Sequence, residues 1–340
     1  MELIFYLTNK CNMNCKYCYE GEKKNKELSF EIAKKCIYTY SQKHKNMCIS
    51  FFGGEPLLNF NLMKQILEYC REVEKLSSCK ITHTITTNAT LIDQDFIKTC
   101  KKHKVKVGIS IDGDEKTHNL NRVFKDKTGS FEKTHKGVEQ VIKSGLKTMA
   151  LPVVCLNNVK YMADNVEYLI NQGFKEITLN FNYFDNWDDE SIAVLKEQYS
   201  KVEKIYLKEN KILKRISIFP IDTKMVYLLN EKLNCCDSCN STRLCVDSDG
   251  KYYPCVQFVG KEDYSIGNYV DGENIKKRGE LIKQRLNSNV PCSKCAYKRL
   301  CASYCGCIRM CSTNTITEIS PLVCETEKIY INSAINILKK

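Results

Sequence analysis

Three cysteines close to the start of the chain limit its fold and chemistry more than any other feature. Cys11, Cys15 and Cys18 lie within eight residues, with the spacing C-x3-C-x2-C. The stretch 2–7 before them is short, apolar and rich in β-forming residues, so it predicts a buried strand. The cysteines then occupy the loop that leaves this strand, where α/β folds build their ligand sites. We therefore expect a ligand site in this loop.

The number of thiols in this loop indicates which ligand it holds. Structural zinc sites close with four ligands, and no fourth cysteine stands near these three. Three thiolates suit a 4Fe–4S cluster, because they bind three irons and leave the fourth iron open to a substrate or cofactor. A partial zinc site is the alternative, since short cysteine clusters have several uses.

The spacing of Cys11, Cys15 and Cys18, with the aromatic Tyr17 before the last cysteine, resembles the radical S-adenosylmethionine (SAM) superfamily. The resemblance implies that the three cysteines hold a 4Fe–4S cluster whose open iron binds SAM. It also implies that one electron from the cluster cleaves SAM to methionine and a 5′-deoxyadenosyl radical, which removes a hydrogen atom from the substrate. The protein holds the cofactor and excludes competing reactions.

Composition is typical of a globular protein in a reducing compartment. The chain has 340 residues, 43% of them hydrophobic, and 21 cysteines. Secreted disulfide scaffolds are usually much shorter, so iron-bound thiols explain this cysteine count better. The sequence contains no run of 18 apolar residues, so it predicts no membrane span. The early first strand leaves no room for a signal peptide. We therefore expect a cytoplasmic protein with no membrane partner.

Net charge is +12, which favours an anionic partner such as an acidic peptide. The lysines are scattered over amphipathic helices and form no concentrated basic stripe, so we expect no nucleic-acid partner.

Strands and helices alternate along the first half of the chain, which predicts parallel β/α units and an α/β fold class. Six strands are too few for an eight-stranded barrel, and the resemblance implies a partial six-stranded parallel (β/α)6 barrel over residues 1–190. A charged helix, 192–212, opens a helical connector over 191–234. The predicted strands are 2–7, 47–52, 80–88, 105–113, 148–155 and 176–182.

Polar residues and glycines follow the predicted strands at the end where a cofactor would bind. Two glycines after the second strand let the backbone approach a ligand closely, and an arginine after the fourth can pair with a carboxylate. Ser110 and Asp112 have side chains on the same face of the fourth strand. The superfamily resemblance implies that these positions contact SAM. The residues expected to bind SAM are Gly53, Gly54, Glu55, Thr87, Asn88, Ser110, Asp112 and Arg122.

The last third of the chain is rich in cysteine, with 12 of the 21 between Cys235 and Cys324. The order is a cysteine, Gly250-x4-Cys255, a gap, C-x2-C-x5-C-x3-C starting at Cys292, and a final cysteine. This order resembles the SPASM domain, the seven-cysteine extension of peptide-modifying radical SAM enzymes, and we assign it to 235–340.

The SPASM resemblance implies two auxiliary 4Fe–4S clusters, and therefore three clusters in all. It assigns Cys239, Cys245, Cys255 and Cys305 to the first cluster. It assigns Cys292, Cys295, Cys301 and Cys324 to the second. Cys235 or Cys236 could replace Cys245, and Cys307 and Cys311 have no assigned role. Six scattered cysteines are predicted to be buried apolar side chains: Cys36, Cys48, Cys70, Cys79, Cys100 and Cys155.

Enzymes with this domain order mostly modify peptides or proteins, so the resemblance implies a radical SAM oxidoreductase with a peptide substrate. Anaerobic sulfatase-maturating enzymes, which make formylglycine from Cys or Ser, have an Asp base directly after the Gly-x4-Cys cysteine. This chain has Val256 and then Gln257 there, although Asp247 or Asp249 could substitute. We therefore expect a crosslink, of the thioether type, in a ribosomally made peptide. Formylglycine formation is the alternative, and an iron–sulfur electron-transfer protein is the alternative of another class.

The partners follow from this chemistry. We expect a Cys-containing precursor peptide and an electron donor such as flavodoxin or ferredoxin. Many peptide maturases begin with a leader-binding domain, and the early first strand leaves no place for one here. We therefore expect the barrel, the basic surface or a separate protein to bind the leader.

Overall fold

The computed structural model describes residues 1–20, 25–211, 216–230, 242–286, 292 and 294–340. The strands, numbered along the chain, are β1 (Glu2–Thr8), β2 (Asn46–Gly53), β3 (Lys80–Thr87), β4 (Lys106–Ile109), β5 (Thr148–Ala150), β6 (Val153–Val154), β7 (Glu176–Thr178), β8 (Asn180–Phe181), β9 (Ser217–Phe219), β10 (Arg243–Val246), β11 (Tyr252–Tyr253), β12 (Gly267–Asn268) and β13 (Gly272–Glu273). The α-helices are α1 (Phe30–Ser41), α2 (Phe60–Leu76), α3 (Gln94–His103), α4 (Glu115–Asn121), α5 (Phe131–Ser144), α6 (Met162–Asn171), α7 (Asp189–Lys211), α8 (Ile221–Asn230), α9 (Ile275–Leu286), α10 (Gly306–Thr313) and α11 (Pro321–Leu338).

All six predicted strands are present. The first three match the prediction to within one residue at each end, whereas the last three are shorter or divided. The fourth strand stops at Ile109, so Ser110 and Asp112 follow β4 instead of lying within it. The fifth and sixth are each divided into two short strands. Pro152 lies between β5 and β6, and a proline has no N–H to donate to a neighbouring strand. The α/β fold class is confirmed.

One compact unit contains residues 1–20, 25–110, 122–148 and 242–281. Its strands lie in the order β11-β10-β1-β2-β3-β4, and all neighbours are parallel except the antiparallel pair β10 and β11. Residues 3–7 of β1 are at most 6% exposed. A parallel sheet is covered on both faces, which explains why this strand is a continuous apolar run.

The second compact unit contains residues 111–121, 149–230 and 282–340, within the described ranges. Here β5, β7 and β9 pair in parallel, and β6 pairs with β8. Helix α11 packs on both α7 and α8, and its Tyr330 and the α7 residue Leu195 are buried.

The two units cut across the predicted domain boundaries, because β10 pairs with β1 although it lies 240 residues later in the chain. The domain limits at 190 and 234 therefore stay a prediction. In the part of the chain that the structure describes, no helix is both long enough and apolar enough to cross a membrane.

Candidate functional site

The three N-terminal cysteines lie in the loop that follows β1, as predicted. Cys11 is 9% exposed, whereas Cys15 and Cys18 are partly exposed. The Met13 N–H donates to the Cys11 sulfur at 3.4 Å, and the Cys18 N–H donates to the Cys15 carbonyl at 3.1 Å. The first contact supplies an N–H to a sulfur, and the second holds the turn that brings Cys15 and Cys18 together.

Among the described residues, no three His, Cys, Asp or Glu side chains converge on the position of a single metal ion. A 4Fe–4S cluster makes a different demand, because each cysteine binds its own iron. Three thiolates around such a cluster need not point at one centre, so the lack of a single-ion site does not count against a cluster in this loop.

A closed network of amide and hydroxyl groups ties the cysteine loop to the end of β3. The Asn88 amide donates to the Asn12 carbonyl oxygen at 2.9 Å, and the Asn12 amide donates to the Thr90 hydroxyl at 2.8 Å. That hydroxyl donates back to Asn88 Oδ1 at 2.7 Å. Asn12 stands directly after Cys11, so the network orients the loop that carries the cysteines. Asn12 and Thr90 were not predicted, because the hydrogen bonds of Asn12 join loops that are 76 and 78 residues apart.

Replacing Asn88 with alanine should weaken the hold of the loop on its iron. Residues that orient metal ligands typically contribute about 10- to 100-fold in affinity, so we expect a loss in this range. The iron that a chelator removes from the reconstituted protein measures it. Asn46→Ala, which removes an exposed amide at the start of β2, is the matched control. Equal iron retention in the two variants would contradict this role.

The Gly53–Gly54 turn after β2 packs directly against the cysteine loop. A Cβ added at Gly54 would lie 2.1 Å from the Lys10 carbonyl oxygen, and one at Gly53 would lie 2.3 Å from the Thr8 carbonyl oxygen. Gly53 also has a φ of +130°, a backbone angle that residues other than glycine rarely adopt. The Gly54 N–H donates to the Thr8 carbonyl at 2.9 Å. Both glycines are therefore required by the contact between the two loops.

The Glu55 carboxylate is buried and is held by groups of this chain. It is 1% exposed and accepts hydrogen bonds from the Thr87 hydroxyl at 2.7 Å, the Leu57 N–H at 3.0 Å and the Asn88 N–H at 2.8 Å. Burial raises the pKa of Glu55 to about 7, although these three hydrogen bonds act to lower it. Glu55 and Thr87 thus join the ends of β2 and β3, and their predicted contact with SAM stays a prediction.

Glu55 should make the stability of the apoprotein depend on pH. Its pKa is about 7 in the folded protein against 4.5 for the ordinary side chain, so folding favours the protonated form. Glu55 makes its full contribution to the free energy of unfolding below pH 4.5. This contribution, about 3 kcal/mol in total, is lost as the pH rises to 7. Urea unfolding at a series of pH values, in parallel with Glu55→Gln, measures it. In Glu55→Gln, the free energy of unfolding should not fall over this pH range as it does in the wild type. The same pH dependence in both proteins would contradict the raised pKa of Glu55.

Arg122 is buried beside the cysteine loop. Its guanidinium carbon lies 5.3 Å from the centre of the Tyr17 ring, and the side chain is 5% exposed. The residues after it pair with the loop, since the Asn14 N–H donates to the Val123 carbonyl at 2.8 Å. The stack on Tyr17 gives the aromatic residue before Cys18 a structural role and holds a cation next to the cysteines.

Ser110 and Asp112 fall in different compact units, although they are close in sequence. Ser110 is partly exposed, and its N–H donates to the Thr87 carbonyl at 2.9 Å. Asp112 is 2% exposed and accepts a hydrogen bond from the Val153 N–H at 3.0 Å. The structure therefore brings Ser110, but not Asp112, into the unit of the cysteine loop, and the binding of SAM by either residue stays a prediction.

Three cysteines of the predicted second auxiliary set lie together in the second unit. Burial raises the pKa of Cys324, and the neighbouring Cys292 and Cys295 thiols raise it further. The Cys295 N–H donates to the Cys292 carbonyl at 3.2 Å. Burial also raises the pKa of Cys301, to about 11, with Glu327 as the next cause. A 4Fe–4S cluster requires a donor set of clustered thiols, so Cys292, Cys295 and Cys324 fit that group. Cys301 as their fourth partner stays a prediction.

The predicted first auxiliary set is described only in part. Cys245 lies in β10 and is fully buried, and burial followed by the nearby Cys255 thiol raises its pKa. Cys305 belongs to the second unit. Cys239 lies outside the described residues, as do Cys235 and Cys236. The assignment of this set stays a prediction. Cys307 and Cys311 are on α10.

Most of the scattered cysteines are buried, as predicted. Burial raises the pKa of Cys36 to about 11 and that of Cys100 to about 12, so these thiols stay neutral. Cys48 is the exception, because it is only partly buried. The buried ones are Cys36, Cys70, Cys79, Cys100 and Cys155.

The chain belongs to the radical SAM superfamily, whose family model matches residues 5–169. This range contains the cysteine loop, the Gly53–Gly54 turn and Arg122. Membership supports SAM and a 4Fe–4S cluster as cofactors, which replaces the partial zinc site as the use of the three cysteines. It also identifies the chain as an enzyme and removes the alternative of an electron carrier.

Relatives extend this similarity beyond the matched range. The chain is 34% identical to an uncharacterized protein of Methanocaldococcus jannaschii over 275 residues. The aligned region covers 81% of this chain and 90% of that protein. It is 28% identical to a cysteine-type anaerobic sulfatase-maturating enzyme of Clostridium perfringens, over 98% of this chain and 95% of the enzyme.

Solved structures share the fold. The structure of native anSMEcpe with bound AdoMet and Cp18Cys peptide superimposes with a TM-score of 0.85 at 23% identity, covering 99% of this chain and 97% of that chain. Streptococcus suis SuiB bound to the precursor peptide SuiA gives a TM-score of 0.68 at 16% identity, covering 95% and 75%. At these identities the likeness concerns the fold alone.

Proposed function

We propose that this enzyme is a radical SAM peptide maturase that forms a thioether crosslink in a Cys-containing precursor peptide. The relatives support a peptide or protein substrate, because they include cysteine-type and serine-type sulfatase-maturating enzymes. The proposed fold is a six-stranded partial barrel followed by a SPASM domain. We also propose that the enzyme is cytoplasmic.

The chain's own residues prepare the site for its cofactors. When bound, SAM and the cluster supply a 5′-deoxyadenosyl radical that removes a hydrogen atom from the substrate. Cys11, Cys15 and Cys18 would hold the cluster, in a loop that the Asn12 network fixes. The Gly53–Gly54 turn keeps side chains away from this loop, and Arg122 adds positive charge suited to a carboxylate.

The residue that follows Cys255 distinguishes thioether formation from formylglycine formation. Formylglycine formation uses an Asp base directly after this cysteine in sulfatase-maturating enzymes, and this chain has Val256 there. The Val256 carbonyl accepts a hydrogen bond from the Tyr6 hydroxyl at 3.1 Å. The residue is thus part of the packing against β1 and supplies no base, which favours crosslinking.

The two substitute carboxylates have other partners. Asp247 Oδ1 accepts the N–H groups of Asp249 and Lys251 at 2.9 and 2.8 Å and so closes the turn after β10. The Asp249 side chain is 44% exposed and pairs with Lys26. These contacts support the assignment of Asp247 and Asp249 to structure, which weakens the case for formylglycine formation.

Formylglycine formation is the second candidate function. One observation favours it, since the similarity to the cysteine-type maturating enzyme runs over nearly the full length of both chains. In either function, we propose that two auxiliary clusters are bound by the cysteine sets named above. We also propose that a flavodoxin or ferredoxin donates the electron.

Mass spectrometry of the product peptide separates the two functions. The reconstituted enzyme is reduced anaerobically with dithionite and given SAM. Two sets of probes are used: the small Cys-rich peptides encoded beside the gene, and a sulfatase-type Cys peptide. A thioether crosslink removes two hydrogen atoms and keeps the sulfur, whereas formylglycine replaces the cysteine sulfur with oxygen and also removes two hydrogens. The first change on an encoded peptide supports the proposal, and the second change on the sulfatase peptide alone overturns it.

A further inference from the structure

A buried ion pair in the second unit lies next to one of the proposed cluster ligands. Lys224 on α8 donates to Glu327 on α11, with 2.7 Å between Nζ and Oε2. The two side chains are 3% and 4% exposed. Neither residue lies in the motifs described above, and the proposed reaction makes no use of them.

Both members of this pair hold the backbone around Cys301. Lys224 Nζ also donates to the Leu300 carbonyl at 2.6 Å, and Glu327 Oε2 accepts the Ala302 N–H at 2.5 Å. These carbonyl and N–H groups belong to the two peptide units on either side of the Cys301 α-carbon. Fixing both peptide planes fixes the φ and ψ of Cys301, and with them the direction of its Cα–Cβ bond.

The side chain of Cys301 is fixed in turn. The Ser303 N–H donates to its sulfur at 3.4 Å, and the residue is 9% exposed. A buried ion pair is poor evidence of stability, because removing two charges from water costs about as much as their attraction returns. We therefore assign this pair a positioning role and not a stabilising one, since it joins two helices to the residues on either side of a single cysteine.

We propose that Lys224 and Glu327 are positioning residues that hold Cys301 in place as a ligand of the second auxiliary 4Fe–4S cluster. This role rests on the proposed ligand set of Cys292, Cys295, Cys301 and Cys324. Metal ligands depend on such supporting contacts for their orientation. The pair acts through the Leu300 carbonyl and the Ala302 N–H, on either side of Cys301.

The test is the iron content of the full chain after anaerobic reconstitution, with electron paramagnetic resonance of the reduced protein. Lys224→Met and Glu327→Leu are compared with Cys301→Ser, which removes the ligand itself. Asp222→Asn is the matched control: Asp222 is on α8 like Lys224, and it accepts the Tyr206 hydroxyl at 3.1 Å and the Ile218 N–H at 2.6 Å. It supports α8 without contacting residues 300–302.

Lys224→Met and Glu327→Leu should lose the same resonance signal as Cys301→Ser and about four irons per chain. Asp222→Asn should keep the wild-type signal. Glu327→Gln should retain more iron than Glu327→Leu, because its amide oxygen still accepts the Ala302 N–H. If a single variant precipitates, the double variant Lys224→Met/Glu327→Leu, which leaves no unpaired buried charge, takes its place in the same measurement.

Wild-type iron in Lys224→Met and Glu327→Leu, with only a lower melting temperature like that of Asp222→Asn, would overturn the positioning role. Wild-type iron in Cys301→Ser would overturn the ligand assignment itself. Neither result depends on the peptide product, so failure here is distinct from failure of the thioether proposal.

Discussion

Replacing Cys18 with serine should reduce the cleavage of SAM to the level of protein without iron. Cys18 lies in a loop with two other thiols, and the superfamily match includes this loop. A hydroxyl is a far poorer ligand for iron than a thiolate, and two thiolates cannot replace three around an open 4Fe–4S cluster. The measurement is 5′-deoxyadenosine released from SAM in the presence of dithionite, together with the resonance signal of the cluster.

Cys48→Ser provides the matched control for this substitution. Cys48 is also partly exposed, but it lies within β2, and its sulfur is 3.8 Å from the Ser50 hydroxyl. This variant should release 5′-deoxyadenosine at the wild-type rate. Wild-type activity in Cys18→Ser would show that the N-terminal cysteines do not bind the cluster that reduces SAM.

Replacing Gly54 with alanine should displace the cysteine loop and cost the protein both stability and iron. The added methyl group would lie 2.1 Å from the Lys10 carbonyl oxygen, which is backbone and cannot rotate away as a side chain could. Overpacked sites lose about 1–3 kcal/mol when side chains can adjust, and we expect the upper end of this range or more here. The free energy of unfolding in urea measures the stability, and the iron bound after reconstitution measures the site.

Gly279→Ala is the control for Gly54→Ala. Gly279 lies in α9, and a Cβ added there would have no atom within 4 Å. Because alanine favours helices over glycine by about 1 kcal/mol, this variant should be at least as stable as the wild type. Equal stability and iron binding in the two variants would contradict the close contact between the Gly53–Gly54 turn and the cysteine loop.

The parts of the site that the sequence predicted are those in which chemistry follows from local spacing. The three cysteines, the adjacent glycines and the buried first strand are each contained within about ten residues. Their element types follow from apolar pattern and turn chemistry. The position of the cysteine loop after β1 is confirmed for this reason.

Interactions between distant segments could not be predicted from the pattern. The buried state of Glu55 depends on Thr87 and Asn88, more than 30 residues away, so a residue expected to contact SAM is held by the protein itself. Strand β10 was likewise not predicted. Its four residues carry a cysteine of the expected SPASM pattern, and only the parallel pairing with β1 shows that Cys245 lies in a buried strand.

The transfer of deuterium from peptide to SAM products tests the central claim most directly. Any small Cys-rich peptides encoded beside the gene, and a sulfatase-type Cys peptide, are synthesised with deuterium on carbon and given to the reduced, reconstituted enzyme with SAM. The proposed maturase should release 5′-deoxyadenosine that carries deuterium from one of these peptides, and that peptide should lose two hydrogen atoms. No 5′-deoxyadenosine from protein with a fully loaded N-terminal cluster would contradict the account.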